Sequence, residues 1–517
     1  MNIVAVSWLI MALHPASINK FLKVSLLFIL GFTLYVPSYA HSFELTPGYN
    51  QAYLEVLRLR FDKAENLIRN EKLKDPDNAA YAYLDGYIDF LKYLLNEEST
   101  DYEQLSSLHQ KRLNILNKVP KESPWHYYSQ GQANLQSAIA AFKAGNYLEA
   151  ASDMRKSYNL FQENERRFPS FLPAKAGNGL MYILFGSVPD SYKWIPNTLG
   201  FKGDVNRGIN LIHKILEHPD HANSFLHNEC LFLYSFITFN LSNNTESEYK
   251  LANLFTETKN SAELKINPLL TYAAASLCIN IGKNDEALKL LINRPDGPGY
   301  YKFHYLDYLT GTSLLNKMDP SCRLYLLRYV NSNKGTSYVK SAYQKLAWSY
   351  LIENDLHHYN QYISRALILG NTEMENDKEA YIEAKTGVRP QINLLKARLL
   401  FDGGYYAESV NTLHATSVKS LTSLQKTEYY YRLARIKHKT GQIDNARTLY
   451  LKCLESEINS STWFGANSLL QLGLISESQS KYNEAKSYFS QCLERDFPIF
   501  RNSIHQKAKA GLSRLKD

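Results

Sequence analysis

The sequence is poor in glycine, proline and cysteine, and neither sign of charge dominates it. Its 517 residues include 24 Gly and 17 Pro, too few for a collagen-like or linker-like chain. The apolar content of 45% excludes both wholesale disorder and a membrane protein with many spans. The formal net charge of +8 is mild for this length, so it does not indicate a nucleic-acid-binding protein, which usually carries a clustered basic face.

The few cysteines give no sign of a disulfide framework or a redox motif. They lie far apart and form no C-x-x-C pair: Cys230, Cys278, Cys322, Cys453 and Cys492. An exported compartment would permit disulfides, but an odd count leaves at least one thiol unpaired in a monomer. We therefore interpret these cysteines as small buried residues on helices.

The first 40 residues have the order of a secretory signal peptide. Two lysines precede the apolar run 24–35, and Pro-Ser-Tyr-Ala at 37–40 places small residues before a predicted cleavage at His41. The apolar stretch 3–13 keeps an uncleaved anchor open as an alternative, unless translation starts at Met11. We expect an exported protein, periplasmic or on the cell surface of a Gram-negative bacterium, with peripheral association with the envelope left open.

Two neighbouring segments near the C-terminus repeat one pattern. In residues 430–453 and 469–492, an apolar-faced helix and a tight turn precede a second helix, which carries a small residue and an aromatic residue four positions apart. These pairs are Ala446 with Tyr450 and Ala485 with Phe489. The small residue lets the paired helices approach, and the ring fills the space before the next pair. The pattern resembles the tetratricopeptide repeat.

Weaker copies extend this pattern toward the N-terminus. The small residues of the copies fall at positions 64, 150, 287, 409, 446 and 485. Strand signals are sparse, so the sequence predicts an all-α solenoid of helical hairpins, a superhelix of the tetratricopeptide type. We divide the chain after the signal peptide into N-terminal helical repeats at 41–172, a non-repeat insert at 173–210 and a repeat array at 211–517.

Residues 173–208 depart from the repeat rhythm. An apolar helix rich in small residues ends near Ser187, an aromatic connection with Trp194 and Phe201 follows, and Asp204 is the predicted N-cap of the next helix. This order, with its Gly-Phe-x-Gly-Asp sequence, resembles the signature region of the eukaryotic tetratricopeptide family of the inclusion-body clearance protein. The resemblance implies a binding or adaptor protein, although the export signal departs from that family. We expect the apolar helix to be buried rather than bound to a membrane.

The repeat frame also predicts which residues line a concave groove, where tetratricopeptide arrays usually bind peptides. These candidates are Trp348, Arg398, Phe401, Tyr431, Arg435, His438 and Lys439. Guanidinium groups offer paired donors to carboxylates, and exposed aromatic rings offer stacking faces, so we expect a protein or peptide partner and no nucleic acid. In an alternative interpretation, Arg435, His438 and Lys439 form a solvated basic helix end.

The sequence contains no H-E-x-x-H, G-x-S-x-G, Walker-type or dinucleotide-binding motif. A cluster of histidines lacks the spacing of a metal site: His213, His218, His221 and His227. We therefore predict a non-catalytic adaptor or scaffold with no cofactor and no metal. The alternative is a module that binds a small molecule or glycan, or an enzyme, with a pocket at Trp194 and Phe201.

Overall fold

The computed structural model describes residues 41–96, 100–186, 200–218, 225–241, 251–255, 258–457 and 462–515. In these segments the chain forms helices joined by turns, with one isolated β-bridge between Ser42 and Asn78. The all-α prediction is therefore confirmed. The predicted signal peptide and Trp194 lie outside the described residues.

The helices of the N-terminal part pack mainly as successive hairpins. In chain order they are α1 (Pro47–Leu57), α2 (Phe61–Lys74), α3 (Ala80–Asn96), α4 (Thr100–Leu116), α5 (Pro124–Lys143), α6 (Tyr147–Arg167), α7 (Leu172–Gly186), α8 (Val205–Leu216), α9 (Phe225–Leu241), α10 (Thr258–Leu264), α11 (Pro268–Asn280) and α12 (Asn284–Ile292). Thr46, Ser123 and Asn267 cap α1, α5 and α11, each of which starts with a proline, because these side chains satisfy first-turn amides that have no partner within the helix.

The C-terminal part continues the same arrangement with one exception. Its helices are α13 (Tyr305–Asn316), α14 (Cys322–Ser332), α15 (Val339–Leu351), α16 (Leu356–Ile368), α17 (Glu375–Thr386), α18 (Ile392–Asp402), α19 (Tyr406–His414), α20 (Ser423–Lys439), α21 (Ile443–Ser456), α22 (Trp463–Ser478), α23 (Tyr482–Glu494) and α24 (Arg501–Arg514). Helix α17 packs on both α15 and α16, so this unit contains three helices instead of two.

The predicted packing of small and aromatic residues is confirmed in the last repeats. Ala446, Tyr450, Ala485 and Phe489 are all fully buried. A Cβ atom added to Gly473 would lie 2.5 Å from a ring carbon of Phe489, so glycine lets α22 approach this ring. The interpretation of the cysteines is also confirmed where they are buried, at Cys230, Cys322, Cys453 and Cys492, while Cys278 is half-buried; none of the five thiols is in a disulfide.

Two tyrosines, a phenylalanine, a glutamine and a glutamate join the first helices of the N-terminal hairpins. Tyr53 on α1 stacks on Phe225 of α9 with ring centroids 4.2 Å apart. The hydroxyls of Tyr53 and Tyr87 donate to Glu229 of α9 at 3.3 and 2.6 Å. The amide of Gln132 on α5 donates to the same carboxylate at 3.4 Å. Helices α1, α3, α5 and α9 thus meet around one filled polar centre.

The segment that carries the family resemblance forms a tight helix crossing. A Cβ atom on Gly208 would lie 2.4 Å from the carbonyl oxygen of Gly179, so these two glycines bring α7 and α8 into backbone contact. Asp204 caps α8 as predicted, accepting from the Arg207 amide at 2.9 Å. The helix from Gly179 to Phe185 is largely buried, which agrees with the expectation that it packs inside the protein.

Two turns that are far apart in sequence touch in the C-terminal part. A Cβ atom on Gly404 would lie 1.9 Å from the carbonyl oxygen of Gly282, and Gly404 has a φ of +82°, so only glycine suits this position. Next to it, the Tyr405 hydroxyl donates to Asp285 at 2.9 Å and accepts from Asn284 at 3.0 Å. The α18–α19 turn is therefore fixed to the α11–α12 turn.

Candidate binding face of the C-terminal repeats

Charged side chains from α15, α17, α18, α20 and α24 form one surface, which we call the charged face. Its charged members are Lys345, Glu379, Arg398, Asp402, Glu428, Arg432, Arg435 and Lys507. Arg398 lies within ion-pair distance of Glu379 and Asp402, and Arg432 lies within ion-pair distance of Glu428. Asp402 also acts electrostatically on Arg435, and Arg435 acts on Lys507. We call the part up to Arg432 the upstream half and the remainder the downstream half.

The upstream half is neutralised by its own ion pairs. Arg398 binds the Glu379 carboxylate through both terminal nitrogens at 2.5 and 2.9 Å, and it lies 4.9 Å from the ring centroid of Trp348. Burial disfavours ionised Glu379, but Arg398 holds the pKa of this carboxyl below its ordinary value. Arg432 pairs with Glu428 through two nitrogens that donate to one carboxylate oxygen, Nε at 2.7 Å. These guanidinium groups already have their carboxylates.

Trp348 does not offer the stacking face that the sequence suggested. It is 3% exposed, and its indole nitrogen donates to the Glu383 carboxylate at 3.1 Å. Gln344 and Tyr359 donate to the same carboxylate at 2.7 and 2.9 Å. Burial raises the pKa of Glu383 from 4.5 to about 7, although these hydrogen bonds favour the ionised form. Trp348 is buried because α17 covers this part of α15.

The predicted residues of α20 divide between core and surface. Tyr431 is 6% exposed and packs against Trp463 and Phe464, so it too is part of the core. Arg435 is half-buried, with its guanidinium carbon 5.6 Å from the centroid of Phe401. Of the two aromatic candidates Tyr431 and Phe401, only Phe401, on α18, is partly accessible, and Arg435 covers its ring.

The end of α20 matches the alternative interpretation, a solvated basic helix end, only at Lys439. Lys439 is exposed and His438 is half-buried. Burial, with Arg435 and Lys439 nearby, lowers the pKa of His438 to about 4, so its imidazole is neutral at pH 7. A ring nitrogen of His438 lies 3.2 Å from the Tyr450 hydroxyl. His438 therefore contributes a hydrogen bond to the repeat core rather than a charge.

Lys507 on α24 belongs to this face but was not identified from the sequence. Its side chain is exposed, yet the surrounding protein, together with Arg435, lowers its pKa below the ordinary value. Between the two cations lies α22, which contacts both α20 and α24. The half-exposed residues of α22 recur at helical spacing in one stripe: Trp463, Asn467, Gln471, Leu474 and Glu477, the last of which pairs with Arg514.

The pocket predicted at the insert is not formed by Phe201. Its ring is 4% exposed and stacks on Phe185 with centroids 4.3 Å apart, and Tyr158 packs against its edge. Trp194, the other predicted member, lies outside the described residues. A separate small cavity of about 30 Å³ lies between α3, α4 and α5, beside His109. This volume suits ordered water rather than an organic ligand.

The histidines near residue 220 have partners of their own. A ring nitrogen of His213 lies 2.6 Å from the Tyr234 hydroxyl, and one of His227 lies 3.1 Å from the side-chain amide oxygen of Asn260. His221 is outside the described residues. Over the part of the chain that the structure describes, acidic, histidine and cysteine side chains form no group suited to a metal ion. Among the same residues, no helix combines the length and apolarity needed to cross a bilayer.

Comparison with known proteins identifies the last repeats. The family model for the tetratricopeptide repeat matches residues 427–457 and 466–498, which are α20–α21 and α22–α23. The search of curated proteins found no match. Two similar solved structures are the Cut9–Hcn1 heterotetramer of APC/C (12% identity, 92% of this chain and 94% of that one, TM-score 0.30) and the human IFIT1 dimer with PPP-AAAA (14% identity, 92% and 95%, TM-score 0.29). Such scores carry no argument, so the identification of tetratricopeptide repeats rests on the family match and covers α20–α23.

Proposed function

We propose that this chain, a tetratricopeptide-repeat protein, is an exported, non-catalytic adaptor that binds a protein partner through its charged face. In tetratricopeptide arrays the first helices of successive hairpins line a concave groove. Helices α20 and α22 are the first helices of the two matched hairpins and α24 follows them, and Arg435 and Lys507 belong to α20 and α24. The observation that carries the proposal is that the downstream half is accessible, while the upstream half is already occupied by its own ion pairs.

The export proposal rests on the first 40 residues and receives some support from the segment that follows them. A ring nitrogen of His41 lies 2.9 Å from the carbonyl oxygen of Asp77, and the side chain of Phe43 is 7% exposed. A chain that begins at His41 therefore keeps its first residues in contact with the folded repeats. Mass spectrometry of the N-terminus of the protein from its native envelope tests this: a terminus at His41 supports export with cleavage, and an intact Met1 or Met11 contradicts it.

A position-specific crosslink tests the binding face. We would place p-benzoylphenylalanine at Gln471, on the proposed face, and at Tyr482, a residue of α23 whose side chain is 53% exposed. Irradiation of cells that express each variant should yield a defined adduct from position 471 and none from position 482. Equal adducts from both positions, or none from position 471 in a folded protein, would contradict the proposal.

A further inference from the structure

A buried carboxyl in the N-terminal part lacks a cationic partner. Glu229 on α9 is 4% exposed, and in the part of the chain that the structure describes it enters no ion pair. Its oxygens accept hydrogen bonds from neutral groups, the hydroxyls of Tyr53 and Tyr87 and the side-chain amide of Gln132. Burial disfavours the ionised form more than the two tyrosines favour it, so the pKa of Glu229 lies above its ordinary value.

A second buried carboxyl, on α1, has the opposite surroundings. The side chain of Glu55 is 1% exposed. Three cations lie within 3.3 Å of its oxygens, namely Arg58, Arg60 and Lys63. Such cations compensate an ionised carboxylate for the water that it loses on burial. Glu229 is buried to a similar degree without this compensation, so a bound proton is the way left to remove its charge.

The titratable groups that face Glu229 from the surrounding helices carry no positive charge. They are Tyr53 of α1, Tyr83 and Tyr87 of α3, Tyr128 of α5 and Cys230 of α9. Burial raises the pKa of each of these groups, and Glu229 adds to the effect, so all of them are neutral between pH 5 and pH 8. Within this described cluster, Glu229 alone can change its charge in that range.

The network of hydroxyls accommodates a protonated Glu229. One carboxyl oxygen accepts from Tyr87 at 2.6 Å. The other can donate its proton to the Tyr53 hydroxyl, 3.3 Å away, which in turn can donate to the Tyr83 hydroxyl at 2.8 Å. Each oxygen of this chain then keeps a hydrogen-bond partner, so protonation costs no hydrogen bond there.

Glu229 lies where the N-terminal part closes on itself. Tyr53 and Gln132 are 176 and 97 residues away from it in the sequence. At the end of α1, Arg58 binds Glu263 of α10 through two nitrogens at 2.7 and 2.8 Å. The charge of Glu229 therefore acts on contacts between distant helices rather than within one hairpin.

We propose that Glu229 is a pH-dependent lock of the N-terminal part: it stays protonated in the folded protein to a higher pH than an exposed glutamate, and its ionisation loosens the junction of α1, α3, α5 and α9. The penalty for ionising Glu229 in place is absent below about pH 4.5, grows as the pH rises, and is complete above the raised pKa. The inference goes beyond the proposed function and does not depend on it, because the charged face takes no part.

Hydrogen exchange measured by mass spectrometry on the full chain tests the lock. Amide protection, corrected for the intrinsic exchange rate, should fall in α1, α3 and α9 by about threefold or more between pH 5 and pH 8, because the folded state loses stability as Glu229 ionises. Protection in α22 and α23 should change much less. In Glu229→Gln, which keeps the shape without the charge, this pH dependence should disappear. The matched control is Glu103→Gln, which removes an exposed carboxyl of α4 and should leave the pH dependence unchanged.

Infrared spectroscopy follows the proton itself. The carbonyl band of a protonated carboxyl that is lost in Glu229→Gln should titrate with a midpoint above that of an ordinary glutamate. Tyr87→Phe removes the closest donor, which favours the ionised form, so it should move both the band and the loss of protection to higher pH. This second variant tests the lock even if Glu229→Gln misfolds.

Three results would overturn the inference: a band that titrates at the ordinary value of glutamate, an equal pH dependence in Glu229→Gln, or an equal fall of protection in α22 and α23. A shift to lower pH in Tyr87→Phe would also contradict it, because the hydroxyl of Tyr87 would then not support the carboxylate.

Discussion

The N-terminal and C-terminal parts of this protein are built from similar helical hairpins. They differ in whether the polar side chains of the first helices are paired within the protein. In residues 41–301, tyrosines from α1 and α3 and an amide from α5 satisfy Glu229 inside a filled centre. In the described part of residues 339–515, the corresponding first helices carry a surface on which Arg398 and Arg432 form ion pairs, whereas Arg435 and Lys507 form none. On this comparison, the proposed binding surface lies where the side chains of the repeat array leave hydrogen-bonding capacity unused.

The largest effect on this contrast is expected from removing the Tyr53 ring, which is buried in the N-terminal part. Tyr53→Ala deletes a fully buried side chain, its stacking on Phe225 and its hydrogen bond to Glu229. We expect a loss of about 4 kcal/mol of local stability, typical of a large buried aromatic residue replaced by alanine. Hydrogen exchange measured by mass spectrometry should show faster exchange in α1, α3 and α9 and unchanged exchange in α20–α24. Faster exchange along the whole chain would mean that the two parts do not differ in the way described.

The next test breaks an ion pair in the upstream half of the charged face. Arg398→Gln leaves Glu379, which is 13% exposed, without its bidentate partner. We expect a loss of about 2 kcal/mol, because a largely buried carboxylate loses its cation. Hydrogen exchange in α17 and α18 measures the effect, and Arg398→Lys should recover only part of it, because an ammonium cannot make the paired contact. A change no larger than that of an exposed residue would show that the ion pair is dispensable.

A smaller effect depends on pH. The pKa of Glu383 is raised from 4.5 to about 7, so the folded state favours the protonated form. The penalty for ionising it in place is therefore absent below about pH 4.5, grows as the pH rises, and is complete above pH 7. We expect α15–α17 to lose about 1 kcal/mol of stability between pH 5 and pH 8, discounted because Glu383 is partly exposed. In Glu383→Gln this slope should disappear; an identical slope in both proteins would exclude Glu383 as its origin.

The smallest effect should come from the downstream half. Arg435→Gln alters a half-exposed residue with no ion pair to break. The free energy of unfolding should therefore stay within about 0.5 kcal/mol of that of the unchanged protein, and the melting temperature should stay close to it. Differential scanning calorimetry of Arg435→Gln beside Arg398→Gln compares the two halves directly. If Arg435→Gln proves as destabilising as Arg398→Gln, the downstream half is structural and the contrast within the face fails.

The sequence was sufficient for the repeat cores because their packing is local. Ala446 with Tyr450 and Ala485 with Phe489 are four residues apart, and the helical period alone brings them to one side of a helix. Lys507 was missed, although one further repeat period after α22 reaches α24. The signal for it is therefore present in the spacing, but the groove candidates derived from the sequence end at Lys439.

Contacts between distant segments could not be predicted in the same way. The repeat frame finds which side of α15 carries Trp348, but it does not reveal that α17 is an additional helix that covers this side. Nor does it pair Tyr53 with Glu229, which are 176 residues apart in the sequence. The repeat period predicts contacts between neighbouring hairpins. The contact of Tyr53 with Glu229 and the burial of Trp348 under α17 depend instead on the path of the whole chain.

The contact between Gly282 and Gly404 bears on how the protein responds to tension. A solenoid whose repeats touch only their immediate neighbours extends like a spring, because each interface gives a little under load. Here two turns are held backbone to backbone and tied by Tyr405, Asn284 and Asp285. A force applied along the chain between them is carried first by this tie, so the segment behaves as a stiff link. Elastic extension is left to the repeats outside this link, among them α20–α24, which carry Arg435 and Lys507.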